Sequence, residues 1–572
     1  MIGVFAPSED QEVVAEFFQL FKTPWEFFRD GQSYDAVIVT ADEVPEVDAK
    51  LVLIYGPELK RRDPAVEFAA CSSRRNVILD YQGSRLPLYG TAMIFEKAES
   101  GTPCVTGDAG VVGLRVRSVD CSVLRLGYDL FREVACLLST GQPPEYAHIP
   151  TLEMHIMMLR DWILEAGITL LEIPPSPSGH PFAVCLTHDI DFVRIRDHKF
   201  DHTMWGFLYR STVGAICSFL RGRIPWRRLL RSWRAALSLP LVHLGLAKDF
   251  WLPFDWYLRV EEHLPSTYFL IPFKQHAGDR AVGKHAKRRA ASYDITEIPE
   301  WTATLMREGR ELAVHGIDAW HSVDKGREEL RRIAAVTGGS ETGVRMHWLW
   351  TDENTFRVLE KAGYAYDSTA GYNETVGYRS GTTQAYRPLG TRRLLELPLH
   401  IQDGALFYRQ RLALSEPEAW KRCVALIVNA KTFAGVLTIL WHDRSHGPER
   451  FWGDFYVRIL AELKSLEPWF ATAGQVTSWF RQRREVVFEC LRSAHAPDHL
   501  QIRSPGNRID PPVILRVHCP TGQAAARRPT TNPPRWMIDV PWAGQSEVDI
   551  GRLLRRATNE AAQAYLAISS PS

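Results

Sequence analysis

A chain of 572 residues with 45% apolar and 24% charged side chains and a formal net charge of +1 has the composition of a globular protein with about two to four domains. The near-neutral balance excludes a global electrostatic pull towards nucleic acid. Nine scattered cysteines without a CxxC pair exclude a disulfide framework and a cysteine zinc site. The opening residues lack a basic region followed by a long apolar core, and no stretch reaches roughly 18 apolar residues without a charge, so a cytoplasmic chain with no spanning helix is expected.

Residues 1–150 read as an N-terminal α/β domain. Ala36–Val39, Leu51–Ile54 and Asn76–Leu79 are short buried runs of strand length, separated by segments long enough for helices. No glycine-rich phosphate loop occurs among them, so nucleotide binding has no support. A helix is expected over residues 148–172, overlapping a connector at 151–180 that ends in the turn-rich Pro174–Gly179.

The next apolar run, Phe182–Leu186, leads into Thr187-His188-Asp189-Ile190-Asp191. Two carboxylates two residues apart on extended backbone point the same way, and like charges held so close need a cation or a shared proton. A divalent metal with a water beside it meets that need, one aspartate ligating and the other handling protons.

Three later runs end in the same fashion. Leu312–Val314 enters His315, with Asp318 and His321 following. Gly343-Val344 leads to Arg345 and His347, which should share a strand face. Val436–Trp441 ends in His442-Asp443. The C-terminal ends of strands are where parallel α/β folds, and (β/α) barrels above all, carry out chemistry. Between the first and second of these ends, residues 193–260 form a basic, tryptophan-rich insertion. Arg221, Arg223, Arg227, Arg228, Arg231 and Arg234 surround Trp226 and Trp233 there, and such a segment suits an anionic membrane surface, through about 200–250, an acidic polymer or partner, or packing over the barrel by its aromatic face.

Beyond about Arg484 the pattern changes. Gln501–Arg503, Val513–Val517 and Trp536–Val540 alternate as strands between the proline turns Pro511-Pro512 and Pro533-Pro534, and Val548–Ala567 is helix-like. Residues 486–572 therefore read as a small β-rich appendage.

The order of these motifs over about residues 180–485 resembles the polysaccharide deacetylases with a NodB-type homology domain, carbohydrate esterase family 4, in a variant whose first motif is Thr-His-Asp-x-Asp. The resemblance implies a distorted (β/α) barrel over 181–485, with Asp189 as catalytic base and Asp191 as metal ligand. His315 matches the second motif, but the family's His-x-x-x-His spacing would land on Ala319. His347 is the preferred third ligand and His321 the alternative, with Asp318 behind them. Arg345 matches the arginine that orients the base. Leu440 and His442 match the Leu-x-His motif, which makes His442 the general acid, with Asp443 as a neighbour able to bias its charge. Tyr366–Thr369 and Gly377–Gly381 resemble substrate-side loops.

What the resemblance implies is a hydrolase that removes N-acetyl or O-acyl groups from a sugar or an exopolysaccharide precursor. The cofactor is a divalent metal, zinc by its mixed Asp and His ligands, with cobalt or nickel as substitutes. The partner is an N-acetylated glycan or a lipid-linked sugar, met in the cytoplasm or at the inner face of the membrane. Two alternatives stay open: a hydrolase of a small non-sugar amide, since fold does not set substrate, and a non-catalytic polysaccharide-binding scaffold.

Overall fold

The computed structural model describes residues 1–63, 71–95, 101–117, 121–222, 224–339, 341–493, 496–504, 506, 508–520, 536–544, 548–549 and 553. The chain forms two compact units, one of residues 1–179, 380–389 and 478–572, the other of residues 180–379 and 390–477.

In the first unit, Ile2–Phe5, Ser33–Val39, Asp48–Tyr55 and Ser122–Leu126 make a buried parallel core. Between Tyr55 and Ser122 the chain runs largely as antiparallel strands, turning at Gln82-Gly83 and at Asp108-Ala109. The helix expected over 148–172 covers Thr151–Glu165, and Leu170–Glu172 then pairs with Val513–Cys519 as a strand. The C-terminal strands lie in two small sheets. Val548–Asp549 is a short strand against Ala496–Arg503, while the rest of the helix expected there, Pro533-Pro534 and Arg223 lie outside the described residues.

The second unit is a parallel α/β sheet. Its main strands are β1 (Ala183–Ile190), β2 (Ser266–Leu270), β3 (Glu311–Gly316), β4 (Val344–Met346), β5 (Tyr366–Asp367), β6 (Leu395–Glu396), β7 (Ile401–Gln402) and β8 (Val436–Leu440). They run β6-β5-β4-β3-β2-β1-β8-β7, every pairing parallel, with Trp469–Phe470 added beside β1. The segment between β6 and β7 links the two edges. Leu397 N–H donates to Asp367 and Leu399 N–H to Ala370 on one side, and His400 N–H to Thr438 on the other. The result is the distorted (β/α) barrel that the motif order implies.

Strand alternation decides what faces inward. Val184, Leu186 and Ile190 of β1 join the core cluster beneath the helices, which turns Thr187 and Asp189 the other way. His188 stays on the core side, its Nε2 2.7 Å from Glu261 and its Nδ1 2.9 Å from the Trp441 carbonyl, so it takes no part in the cleft. Gly343, just before β4, is required by packing, because a Cβ there would meet the Tyr366 ring at 2.0 Å.

The insertion after β1 folds as α1 (His202–Tyr209), α2 (Ala215–Leu220) and α3 (Trp226–His243). Met204 and Phe207 of α1 and Ala235, Leu239 and Val242 of α3 bury themselves around Trp251.

Candidate active site

The C-terminal ends of β1, β3, β4 and β8 open into one cleft lined by Asp189, Asp191, His315, His347 and His442. Of the predicted residues, Asp191, His315 and His347 converge. Asp191 Oδ1 lies 3.3 Å from His315 Nε2 and 3.2 Å from His347 Nδ1, and the two histidine nitrogens are 2.9 Å apart. His315 Nδ1 is 2.9 Å from the Arg345 carbonyl, which takes that N–H and leaves the Nε2 lone pair facing the cleft. Burial pulls His347 down to about 4 against the attraction of Asp191, so its ring is neutral near pH 7. Asp191 is held well below the usual carboxylate range: burial opposes its charge, but His347 and His315 outweigh burial.

These residues fit a metal. Asp191 Oδ1 is buried and accepts no hydrogen bond among the described residues. An orphaned carboxylate oxygen facing two imidazole nitrogens is costly without a cation. Tetrahedral bonds of about 2.0–2.1 Å put ligand atoms roughly 3.3 Å apart, close to the separations seen. His347 reaches the group from the turn after β4 rather than from the strand itself, which ends at Met346. Trp348 and Leu349, at φ +65° and +55°, make that turn with backbone that non-glycine residues rarely adopt, a strain typical of functional sites.

His321 stands elsewhere: its Nε2 is 3.0 Å from Asp318 Oδ1, and His276 Nε2 is 2.8 Å from Asp318 Oδ2. Asp318 and His321 are therefore partners of one another and not of Asp191.

Asp189 differs from Asp191 in its company. Arg345 Nη1 donates to Asp189 Oδ1 at 3.0 Å and to Thr187 Oγ1 at 2.7 Å. The same guanidinium donates to the Ser368 carbonyl and hydroxyl at 2.9 and 2.8 Å and lies 4.3 Å from the Phe269 ring centroid. Every edge of Arg345 is thereby used, and the fully buried cation holds one oxygen of Asp189 in place. Of the segment that resembles substrate-side loops, Ser368 acts as a brace behind Arg345 rather than as a wall of the cleft.

His442 is placed by a residue that sequence reasoning missed. Asp403, directly after β7, sits with Oδ1 2.5 Å from His442 Nδ1 and accepts the His442 backbone N–H on Oδ2 at 3.0 Å. Ser445 Oγ donates to the same Oδ2. Burial works against an imidazolium, yet Asp403, with Asp191 and Asp189 beyond it, pushes His442 up to about 10. Asp443 does not fill this role, since its Oδ2 accepts the Phe192 N–H at 3.1 Å. A signal was there: Leu397–Gln402 is one more apolar run ending in a carboxylate, broken up by Pro398 and His400.

No family model matches the sequence, and no curated protein matches it. Solved structures do. The chain is similar to Agd3, a carbohydrate deacetylase, at 8% identity over 96% of this chain and 99% of that one, with a TM-score of 0.35. It is similar to a probable polysaccharide deacetylase from Pseudomonas aeruginosa PAO1 at 18% identity over 54% and 94%, with a TM-score of 0.33. A CE4 family pseudoenzyme from Bacillus anthracis aligns at 10% identity over 52% and 66%, with a TM-score of 0.25.

Proposed function

We propose that the chain is a metal-dependent deacetylase of N-acetylated sugars, acting on lipid-linked precursors at a membrane surface. The observation that carries the reaction is the pairing across one cleft of an arginine-held carboxylate, Asp189, with an aspartate-held imidazolium, His442, on either side of the Asp191–His315–His347 donor set. A divalent cation held by that set, zinc by its ligand chemistry, would supply Lewis acidity at the acyl carbonyl and ease deprotonation of the attacking water. Asp189 takes the proton of that water as the water oxygen bonds to the acetamide carbon. His442 delivers its Nε2 proton to the nitrogen as the C–N bond breaks, because an unprotonated amide nitrogen leaves too poorly. Arg345 and Asp403 hold the base and the acid in opposite charge states. Acetate and a free amine result.

The membrane half of the proposal rests on the insertion. Fourteen of the 21 exposed large hydrophobic side chains among the described residues fall between Phe200 and Leu246. Trp226, Leu230, Trp233, Leu237, Leu241 and Leu244 follow helical spacing along one exposed stripe of α3 and the residue after it. Exposed Arg227, Arg231 and Arg234 sit among them, and residues 202–248 contain no acidic residue. Such a surface suits the headgroup region of an anionic bilayer. No helix of the described residues is long and apolar enough to cross a membrane. A groove lined by Tyr209, Ala215, Phe407, Leu414 and Phe455 also meets Arg210, Tyr408 and Arg450 beside the active-site cleft, a path for a lipid tail.

Two experiments test these halves. Purified protein should hold about one equivalent of metal and release acetate from N-acetylglucosamine oligomers or lipid-linked N-acetyl sugars in a chelator-sensitive way. Metal without acetate would move the substrate to another amide, and a chain that takes up no zinc, cobalt or nickel would be the binding scaffold. In flotation assays the protein should rise with anionic vesicles, and the exposed-face variant Trp226→Ser/Trp233→Ser/Leu237→Ser should stay behind. Equal flotation of both, or of neither, would remove the membrane contact.

A further inference from the structure

A second cleft adjoins the donor set, sharing Asp191, His347 and Trp348 with it, and six arginines line it: Arg210, Arg288, Arg289, Arg411, Arg444 and Arg450. Among the described residues no ion pair within 4.0 Å joins any of the six to a carboxylate. Arg289 is almost fully buried, and the Nε atoms of Arg210, Arg289 and Arg444 are buried without a hydrogen-bond acceptor. Clustered, unpaired guanidinium groups are expensive to bury unless something anionic arrives to meet them.

Aromatic rings hold the guanidinium planes ready. Arg444 lies 3.7 Å from the Phe192 centroid and 4.7 Å from that of Trp251. Arg289 lies 4.0 Å from Trp350, and Arg450 sits between Tyr408 and Trp452 at 5.1 and 5.0 Å. Stacking of this kind uses the faces of the cations. Arg289 donates from its Nη atoms to the carbonyls of Ala277, Ile317 and His347, and Arg411 to Gln402 and Asn373, so the N–H edges left for a ligand are chiefly those of Arg210, Arg444 and Arg450. Burial, with Arg450 nearby, draws Arg444 down to about 10, so it stays cationic near pH 7. Asp191 is the one acidic side chain in the lining of this cleft, and it faces the histidines. Asp443 and Glu449 attract Arg444 and Arg450 from outside the lining, where Asp443 accepts the Phe192 N–H and Glu449 Oε2 the Trp251 indole N–H at 3.3 Å.

We infer that this arginine cleft binds a phosphate or diphosphate group of the substrate, joined to the sugar whose acetamide lies at Asp189. The inference deepens the deacetylase reading and rests on it for the identity of the sugar, but the anion site stands on its own residues. A single carboxylate carries too little charge for so many cations, whereas a diphosphate offers several oxygens in forked geometry to match them.

The first test needs no turnover. Pyrophosphate is titrated calorimetrically into chelator-treated wild-type protein, into Asp191→Ala, into Arg444→Gln/Arg450→Gln, and into Arg288→Glu/Arg411→Gln, whose sites are more exposed and less at risk of misfolding. Binding should persist in the wild-type and Asp191→Ala proteins and weaken about tenfold or more in both arginine variants, the loss of one or two charge-assisted contacts. No binding by the wild type, equal binding by both arginine variants, or loss in Asp191→Ala alone would overturn the site. Acetate release is then compared for N-acetylglucosamine, its 1-phosphate, a nucleoside diphosphate sugar and a prenyl diphosphate sugar in vesicles. A preference for a phosphorylated sugar that vanishes in the arginine variants supports the assignment, and the last two substrates separate a soluble source from a membrane one. Pyrophosphate binding without acetate from any of them would leave the anion site standing and remove the deacetylase reading.

Discussion

Asp189→Asn is expected to keep its metal and lose about 10²–10⁴-fold in kcat, while Asp191→Ala loses the metal itself. The two carboxylates are two residues apart, yet their surroundings give them opposite duties. Asp191 Oδ1 looks at two imidazole nitrogens and accepts no hydrogen bond among the described residues. Asp189 has Oδ1 fixed by Arg345, while Oδ2 stands 3.8 Å from His315 Nε2, beside the donor set rather than in it. An asparagine at 189 can still accept from Arg345 but cannot take a proton from water, so position survives and chemistry does not. Metal analysis alongside acetate release checks both variants. Equal metal loss in the two, or near-normal turnover by Asp189→Asn, would show that the roles have been divided wrongly.

Asp403→Asn should lower kcat/KM by about 10²–10³-fold at neutral pH and move the alkaline limb of the pH profile to lower pH by about 1–3 units. The sign follows from the role. His442 must be protonated to donate, so activity is present below its pKa and falls as pH rises through it. Asp403 raises that pKa, up to about 10, against the opposing effect of burial. A divalent cation beside the ring acts in the other direction, which makes the aspartate all the more necessary for keeping the proton on. Removing its charge while keeping its oxygen brings the pKa down and turns the acid off earlier. A merely structural role for Asp403 would lower activity at all pH values and leave the limb where it was. Asp443→Asn offers the contrast, since Asp443 accepts the Phe192 N–H while Asp403 holds the His442 ring nitrogen.

What could be read along the chain was whatever depends on local order. The apolar runs ahead of Thr187, His315, Arg345 and His442 mark parallel strands, because a strand buried on both faces needs apolar residues at every position. Alternation alone puts Thr187 and Asp189 on one face with His188 on the other, where Glu261 receives it. The basic, tryptophan-rich composition of residues 193–260 likewise marks a distinct insertion before any contact is known.

Choices among chemically equal candidates were settled by folding. His321 and His347 are both histidines a short way beyond a strand end, and only the turn at Trp348-Leu349 brings one of them to Asp191 while Asp318 takes the other. Asp443 is the carboxylate next to His442 in sequence, yet Asp403 is its partner, because β7 pairs in register with β8 and sets its own C-terminal end beside the imidazole. The arginine cleft gathers cations from positions 210, 288–289, 411, 444 and 450, on segments too widely spread along the chain to announce one site. A sequence ranks side chains by kind and by spacing along the backbone. The few ångströms that decide a ligand, a proton donor or an anion site are distances across strands, and those exist only once the sheet has closed.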